Sequence, residues 1–392
     1  MATVEVSRVE SAAERKAFIK FPWRIYQDDP AWVPPLILER KAFLDRKKHP
    51  FFKHGDAALF LARRDGEIVG RIMASDDPNY NELHRSNVGC FGLFDCVDDV
   101  DVAATLFRAA EEWLRVKGRT EIIGPIDYST NYVCGLLIAG FEHPPVVLTA
   151  HNPPYYARLI EHCGFEKEKD WYAWWFTKSE RPMERLRKIA DARAAKHNVR
   201  VRRIDLKRLP EESRRLRTVF NQAWANNWGF VPFTEAEAEY MAKEMKFLIV
   251  PGGILIAEVG NVPVGFAIAV PDIHVALRRL NGRLTWLGLP IGLVRLLYYR
   301  IRYRTKIRTA RMVALGVVKD YRRAGVAETL VFRVIEQGLD TGELSMTLED
   351  NVLVNRFIGS VGARTYKTYR IYRKTIADKL TRSEPGDVVQ KG

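Results

Sequence analysis

Two stretches of this chain, ALFLARRDGEIVGRIMA (58–74) and ILIAEVGNVPVGFAIAV (254–270), open runs of elements that follow one another in the same order. The first holds two alternating runs about Asp65-Gly66, the pattern of a β-hairpin. Behind it stand a strand at 89–97, a helix at 102–118 closed by Gly118, a buried strand at 121–125, a proline-started helix at 152–165 and the strand-like DWYAWWF. Behind the second hairpin, past a basic interval, come strand, helix, strand, helix and strand. An order repeated this closely is that of a tandem duplication of one α/β unit.

Boundaries fall where the pattern breaks. The first unit takes residues 1–178 and the second 199–378; SERPMERLRKIADARAAKHN (179–198), charged and helical in period, joins them, and 379–392 reads as a disordered tail. At 392 residues, 47% hydrophobic and 28% charged, the chain has the length and the core for two globular domains. Ser11 and Glu14 form a capping-box pattern ahead of a short helix. Cys90, Cys96, Cys134 and Cys163 lack metal-ligand spacing, so reduced, structural thiols are expected and no metal. The opening MATVEVSRVESAAERK lacks an apolar signal core, and the expected location is cytoplasmic.

The net charge of +14 is concentrated. No acidic residue lies between Asp272 and Asp320, whereas Arg278, Arg279, Arg283, Arg295, Arg300, Arg302, Arg304, Lys306, Arg308, Arg311 and Lys319 do, accounting for eleven of the fourteen. Within that interval the apolar stretch Leu284–Tyr299 contains Pro290 and Arg295 and falls short of the ~20 residues a bilayer span needs. Three readings stand: a buried helical hairpin with solvated ends, a nucleic-acid contact, or an element lying in the headgroup layer of an anionic membrane. The adjacency of apolar and basic parts favours the third, with the protein peripheral on the inner membrane and no nucleic-acid partner.

A second constrained stretch is VVKDYRRAGVAETL (317–330). A strand-like run precedes it, and Leu330, Val334, Ile335 and Leu339 continue it at helical period. Two arginines and a glycine at a strand-to-helix turn bring amide donors and the positive end of a helix dipole to one point, which suits a phosphate; solvated arginines at an ordinary turn are the alternative. At the matching place the first unit has Asp95, Asp98, Asp99 and Asp101, which would repel a pyrophosphate.

Arg322, Gly325 and Ala327 stand as R-x-x-G-x-A, which resembles the acyl-CoA signature of the GNAT acyltransferase superfamily. LSMTLEDN (344–351) resembles that family's fifth strand, and NRFIGSVGA (355–363) its N-x-x-x-x-x-x-G-F/A element. The resemblance implies two tandem GNAT domains in the α/β class, each a mixed, mostly antiparallel sheet flanked by helices. It implies acyl-CoA as cosubstrate, held in the second unit by Leu315, Val317, Val318, Arg322, Arg323, Ala324, Gly325, Val326, Ala327 and Asn355. The first unit, degenerate for CoA, then helps wall the acceptor pocket. Nearly end to end, FPWRIYQDDPAWVPPL, HPFF, GPIDYSTNYVCGLLIAGFEHPP, NPPYYARLIEHCGF and LEDN with KTYRIYRK are similar to the bacterial ceramide synthase-like tandem GNAT proteins. That similarity implies transfer of a fatty acyl group from acyl-CoA, or acyl carrier protein, to the amine of a long-chain sphingoid base. Acetylation of a soluble small amine and non-catalytic lipid or nucleic-acid binding are the rival functions.

Amide formation from a thioester needs a base for the amine and a donor for the oxyanion, while the thiol, with a pKa near ~8.5, leaves readily. Many members of the superfamily place a tyrosine acid where this chain has Ile358. Glu349 and Asp350, at the end of the expected fifth strand, are candidate bases or a structural cap; His151 is a candidate base or a structural histidine. Asp127, Tyr128, Asn131 and Tyr132 form a polar loop suited to a pocket wall. Asn227, Trp228 and Phe230 lie in NNWGFVPF, where this fold meets its acceptor.

Overall fold

The computed structural model describes residues 3–177, 183–245, 248–250, 252–286, 288–302, 307, 309–336 and 341–376. The expected tail at 379–392 lies outside them. The strands are β1 (Glu5–Arg8), β2 (Asp56–Arg64), β3 (Glu67–Asp76), β4 (Val88–Cys96), β5 (Glu121–Gly124), β6 (Leu136–Ala139), β7 (Glu166–Thr177), β8 (Val199–Arg203), β9 (Ile254–Val259), β10 (Val262–Pro271), β11 (Thr309–Val317), β12 (Thr341–Leu348) and β13 (Arg364–Thr375). The helices used below are α1 (Ala12–Lys20), α2 (Pro22–Ile25), α3 (Ile37–Phe43), α4 (Pro78–His84), α5 (Val100–Val116), α6 (Tyr156–His162), α7 (Met183–Lys196), α8 (Leu209–Ala223), α9 (Glu235–Met245), α10 (His274–Leu277), α11 (Ile291–Ile301), α12 (Val326–Ile335) and α13 (Val352–Ser360).

Both hairpins form, β2–β3 about Asp65-Gly66 and β9–β10, and strand, helix, strand, helix, strand follow each in that order, with α4 and β6 added in the first unit and α10 and α11 in the second. The duplication shows in packing as well. A Cβ on Gly70 of β3 would come within 2.7 Å of Leu106 on α5, and one on Gly265 of β10 within 2.8 Å of Val326 on α12. In both units a glycine lets the helix after the fourth strand settle onto the hairpin. The capping box at Ser11 and Glu14 is complete, closing the amino end of α1.

The separate sheets expected from the sequence are one. Thirteen strands join in the order β1-β2-β3-β4-β5-β13-β7-β12-β11-β10-β9-β8, with β6 beside β13. Each unit's last strand has crossed to the other unit: β13 covers the edge of β5, β7 covers the edge of β12, and the two pair antiparallel with each other. Every fifth-strand edge is thereby closed by main-chain hydrogen bonds, which removes an open edge from each unit.

The parallel pairs β4–β5 and β11–β12 are short, spanning Val88–Cys90 with Glu121–Ile123 and Thr309–Arg311 with Thr341–Glu343. Beyond them the strands part. Irregularities with positive φ at Leu93 (44°) and Ser345 (69°) accompany the divergence. Each half therefore has a cleft between its fourth and fifth strands.

The basic interval is not a single helix. Pro290 precedes α11, and α10 lies before it; Leu296 and Tyr299 of α11 pack with Ala276, Leu277 and Leu280, and with Val33 of the first unit. Trp23 Nε1 donates to Asn281 Oδ1 at 2.6 Å and the Ile37 amide to Gly282 O at 3.0 Å, so this element of the second unit is clamped onto the first. Its other face is open: Val294 is 61% exposed, Trp286 62% and Ile301 77%. Among the described residues no helix is long and apolar enough to cross a membrane.

Candidate active site

The turn before α12 is built as a donor cluster. Gly325, at the amino cap, takes φ +74°, which favours glycine. Among the described residues the amides of Arg323, Gly325, Val326, Ala327 and Glu328 donate to no backbone acceptor, while Ala324 donates to Tyr321 O at 3.1 Å. These orphan N–H groups at a helix amino terminus form an anion cradle. In the first unit the same corner is already filled: the Asp99 carboxylate accepts from the amides of Asp101 (2.9 Å) and Val102 (3.2 Å) and pairs with Arg64 at 2.9 Å. An internal carboxylate stands there in the place of an external anion.

The glycine at 325 has a second cause. A Cβ there would meet Ala190 O at 2.9 Å and Arg193 Cβ at 3.0 Å, because the connecting helix α7 packs against this turn. Arg187 and Glu336 pair at 2.9 Å to hold that helix against α12. Arg322 donates to Ala223 O at 2.9 Å, joining the turn to the end of α8, and both Arg322 and Arg323 are exposed.

A cavity of about 1910 Å³ starts at this corner. It passes Leu315 and Val317 on β11, whose edge facing β12 is unpaired beyond Arg311, and crosses Leu344–Leu348 on β12. It then reaches the first unit at Asp127, Thr130–Cys134 and Trp32–Phe43, and ends beneath Leu277, Leu284, Leu293 and Leu296 of the basic element. Space of this size exceeds the ~300–1,000 Å³ usual for a single small ligand.

Of the residues singled out from the sequence, Leu315, Val317, Arg322, Arg323, Ala327, Asp127, Asn131, Tyr132, Asn227, Trp228, Phe230, Asp350 and His151 line this cavity. The others lie elsewhere. Val318 donates its amide to Val264 O at 3.0 Å, continuing the β10 pairing, and Ala324, Gly325 and Val326 are buried behind the turn. Asn355 ties α13 to the end of β12, accepting from Thr347 Oγ1 at 2.5 Å and donating to Leu348 O at 3.0 Å. Tyr128 is a core residue stacked between Phe43 and Phe51, with both ring centroids 4.5 Å away. Glu349 is bound by Lys167 at 2.6 Å and by the Asp170 amide at 3.1 Å, and so caps strands. Asp350 pairs with Lys169 at 2.9 Å, which holds its carboxyl below the usual range. Ile358, at the position compared above with a tyrosine acid, and Phe357 beside it both line the cavity.

The two acceptor-side loops are joined. Thr130 Oγ1 donates to Gly229 O at 2.5 Å and Asn131 Nδ2 to Val231 O at 3.0 Å, so the polar loop of the first unit props the 226–233 loop of the second. Asp127 is buried, and burial pushes its carboxyl up to about 6 against the hydrogen bond from the Leu93 amide. His151 Nε2 lies 2.6 Å from Asp29 Oδ2. Sequence reasoning missed Asp29, and it missed the buried group Arg311, Glu343 and Tyr366, linked at 2.6 and 2.7 Å. Arg311 counted only as one charge of a basic run, since its partner lies 32 positions on.

Splayed parallel strands, an amide-rich helix start beside the splay and a long cavity through it define an acyl-CoA-dependent N-acyltransferase, built here from two copies of one unit. The chain belongs to the GNAT acyltransferase family, in its tandem form. Residues 214–362 match the Acetyltransferase (GNAT) family. The chain is 38% identical over 370 residues to Protein YghO of Escherichia coli (strain K12), covering 92% of this chain and 93% of that protein. It is 35% identical over 388 residues to Bacterial ceramide synthase of Caulobacter vibrioides (strain NA1000 / CB15N), covering 96% and 98%. A solved tandem GNAT protein from the clavulanic acid biosynthesis pathway, without AcCoA, superposes with a TM-score of 0.57 at 11% identity, over 96% of this chain and 99% of that one. That last likeness bears on the fold alone. The donor is acyl-CoA and the acceptor an amine.

Proposed function

We propose that this enzyme transfers a fatty acyl group from a CoA-type thioester to the amine of a long-chain sphingoid base. The observation that carries the reading is the cavity: it joins the orphan amides before α12 to an apolar end beneath α10 and α11, with volume for more than one chain. The relative of similar length named Bacterial ceramide synthase supports the same substrate pair. In this reading the pyrophosphate rests on the turn before α12 where it borders the cavity, at the amides of Arg323, Ala327 and Glu328, and the pantetheine arm lies along the unpaired edge of β11 at Leu315 and Val317. The first unit, its own corner closed by Asp99, serves as acceptor wall through Asn131, Tyr132 and the loop it props.

The open face of α11 fits the surface of an anionic membrane. Val294, Leu297 and Ile301 are exposed on a helix that also carries Arg295 and Arg300, and an amphipathic basic helix of this kind beds into the headgroup layer. The element would then take an amphiphilic amine from the bilayer while acyl-CoA arrives from water at the α12 end. The test is turnover of palmitoyl-CoA with sphinganine held in phosphatidylglycerol vesicles, read by mass spectrometry of the lipid and by co-sedimentation. An N-acylated base and bound enzyme are expected. Preference for acetyl-CoA and a short soluble amine would overturn the substrate reading; turnover without co-sedimentation would overturn the membrane part.

A further inference from the structure

Glu349 and Asp350 are held by lysines, which leaves the amine without a base from the second unit's own strand end. The segment ending in His151 is placed differently. Side chains from beyond the first unit fix its backbone: Lys367 Nζ donates to Pro144 O at 3.0 Å, His274 Nδ1 meets Pro145 O at 2.7 Å, Arg311 Nη1 donates to Val147 O at 2.6 Å and Tyr369 OH to Ala150 O at 3.3 Å. Arg311 is also the last residue at which β11 pairs with β12, so this segment is pinned where the cleft opens.

His151 borders the cavity, and its side chain is only 4% exposed. Its Nε2 is engaged by Asp29 at 2.6 Å, a bond that makes Nε2 the protonated nitrogen and leaves the lone pair on Nδ1. Nδ1 is buried and has no hydrogen-bond partner among the described residues. A buried polar atom left unsatisfied costs about 1–3 kcal/mol, and a catalytic role is one of the reasons such an atom is kept. The neighbouring ionisable groups are Asp29, Lys367 and the Tyr26 hydroxyl, which lies 3.2 Å from the His151 carbonyl and donates to Asp95 Oδ1 at 2.8 Å.

We propose that His151 is the general base that takes the proton of the attacking amine, with Asp29 as its positioning residue. The proposal rests on the N-acyltransferase reading and on the thioester lying between β11 and β12. The amine enters as its free base, having left one proton in bulk water. Its nitrogen attacks the thioester carbonyl carbon, forming the C–N bond, and its surplus proton passes to Nδ1. The carbonyl re-forms as the C–S bond breaks, and the departing thiolate takes that proton back from the imidazolium. Amine and thioester become amide and thiol, and the histidine ends as it began. Burial, together with Lys367, holds the imidazole below its ordinary value despite Asp29, so the basic form prevails at neutral pH.

The experiment compares His151→Ala, His151→Gln and Asp29→Asn in the full chain, measuring kcat, acyl-CoA affinity and the pH profile. His151→Ala should lower kcat by about 10²–10⁴-fold with acyl-CoA affinity kept, and added imidazole should restore part of the rate. Asp29→Asn should lower kcat and move the acidic limb of its pH profile to lower pH. Should His151→Ala lose acyl-CoA affinity through misfolding, His151→Gln and the Asp29→Asn profile decide. A folded His151 variant within twofold of the parent kcat, or an unmoved acidic limb in Asp29→Asn, overturns the assignment. A parent enzyme that turns over only short amines counts against the substrate reading and leaves this comparison intact.

Discussion

Replacing Glu343 with glutamine removes the charge that balances Arg311 at the point where β11 and β12 part. Glu343 is fully buried and the Arg311 side chain 6% exposed. The carboxylate accepts from Arg311 Nε at 2.6 Å and from Tyr366 OH at 2.7 Å, and Arg311 Nη1 reaches on to Val147 O. Glutamine keeps the shape and one acceptor oxygen but leaves the guanidinium uncompensated where water does not reach. Breaking one member of such a buried pair costs about 3–5 kcal/mol, against the ~5–15 kcal/mol that holds a whole domain. At about 1–3 kcal/mol per molar urea, the midpoint should fall by about 1 M or more. The double change Arg311→Met with Glu343→Leu removes both ions and their desolvation, and should recover most of the loss. Equilibrium urea unfolding followed by tryptophan fluorescence measures all three proteins. A loss below about 1 kcal/mol in Glu343→Gln, or a double variant no more stable than the single one, refutes the reasoning.

Three further outcomes are expected. His54 of the first unit lies 3.3 Å from Asp77 and 3.6 Å from Glu237 of α9, and these carboxylates raise it from its ordinary 6.5 to about 9. A folded-state value above the unfolded one means that this junction is fully stabilising below pH 6.5 and weakens as pH rises through about 9, by at most about 3 kcal/mol. Thermal unfolding across that window should show the decline in the parent and not in His54→Gln; equal slopes would sink the claim. At the phosphate corner, Arg323→Glu should raise the KM for acyl-CoA roughly tenfold or more without a change in unfolding midpoint, since the side chain is exposed. Gly325→Glu should lower both affinity and stability, because its Cβ would press on Ala190 at positive φ. Matching effects on stability from the two variants would contradict this division.

Much of the local structure was legible. The capping box at Ser11, the Asp65-Gly66 hairpin, the Gly118 stop and the strand–turn–helix at 317–335 each depend on residues within a few positions of one another. The R-x-x-G-x-A turn has amides that donate to no backbone acceptor among the described residues, as at Arg323 and Ala327. Asn355 and Glu349 show where spacing stops informing: each sits at its motif position, yet its partners are Thr347, Lys167 and Asp170, chosen by how β7, β12 and α13 meet. Tyr128 reads as a polar-loop residue, but its positive φ turns the ring into the core between Phe43 and Phe51.

The sequence by itself determined that one unit is written twice, that each copy has a helix after its fourth strand, and that four aspartates precede or open one of these helices where two arginines and a glycine precede the other. Periodicity, caps and turns are short-range, so they survive reading along the chain. The tertiary structure decided that β7 and β13 change places, that one cavity serves both halves, and that Asp29 meets His151 across 122 positions and Arg311 meets Glu343 across 32. A strand's pattern says which face is buried but not which edge it will join. That choice is made only when distant segments are brought together and the open edges are closed.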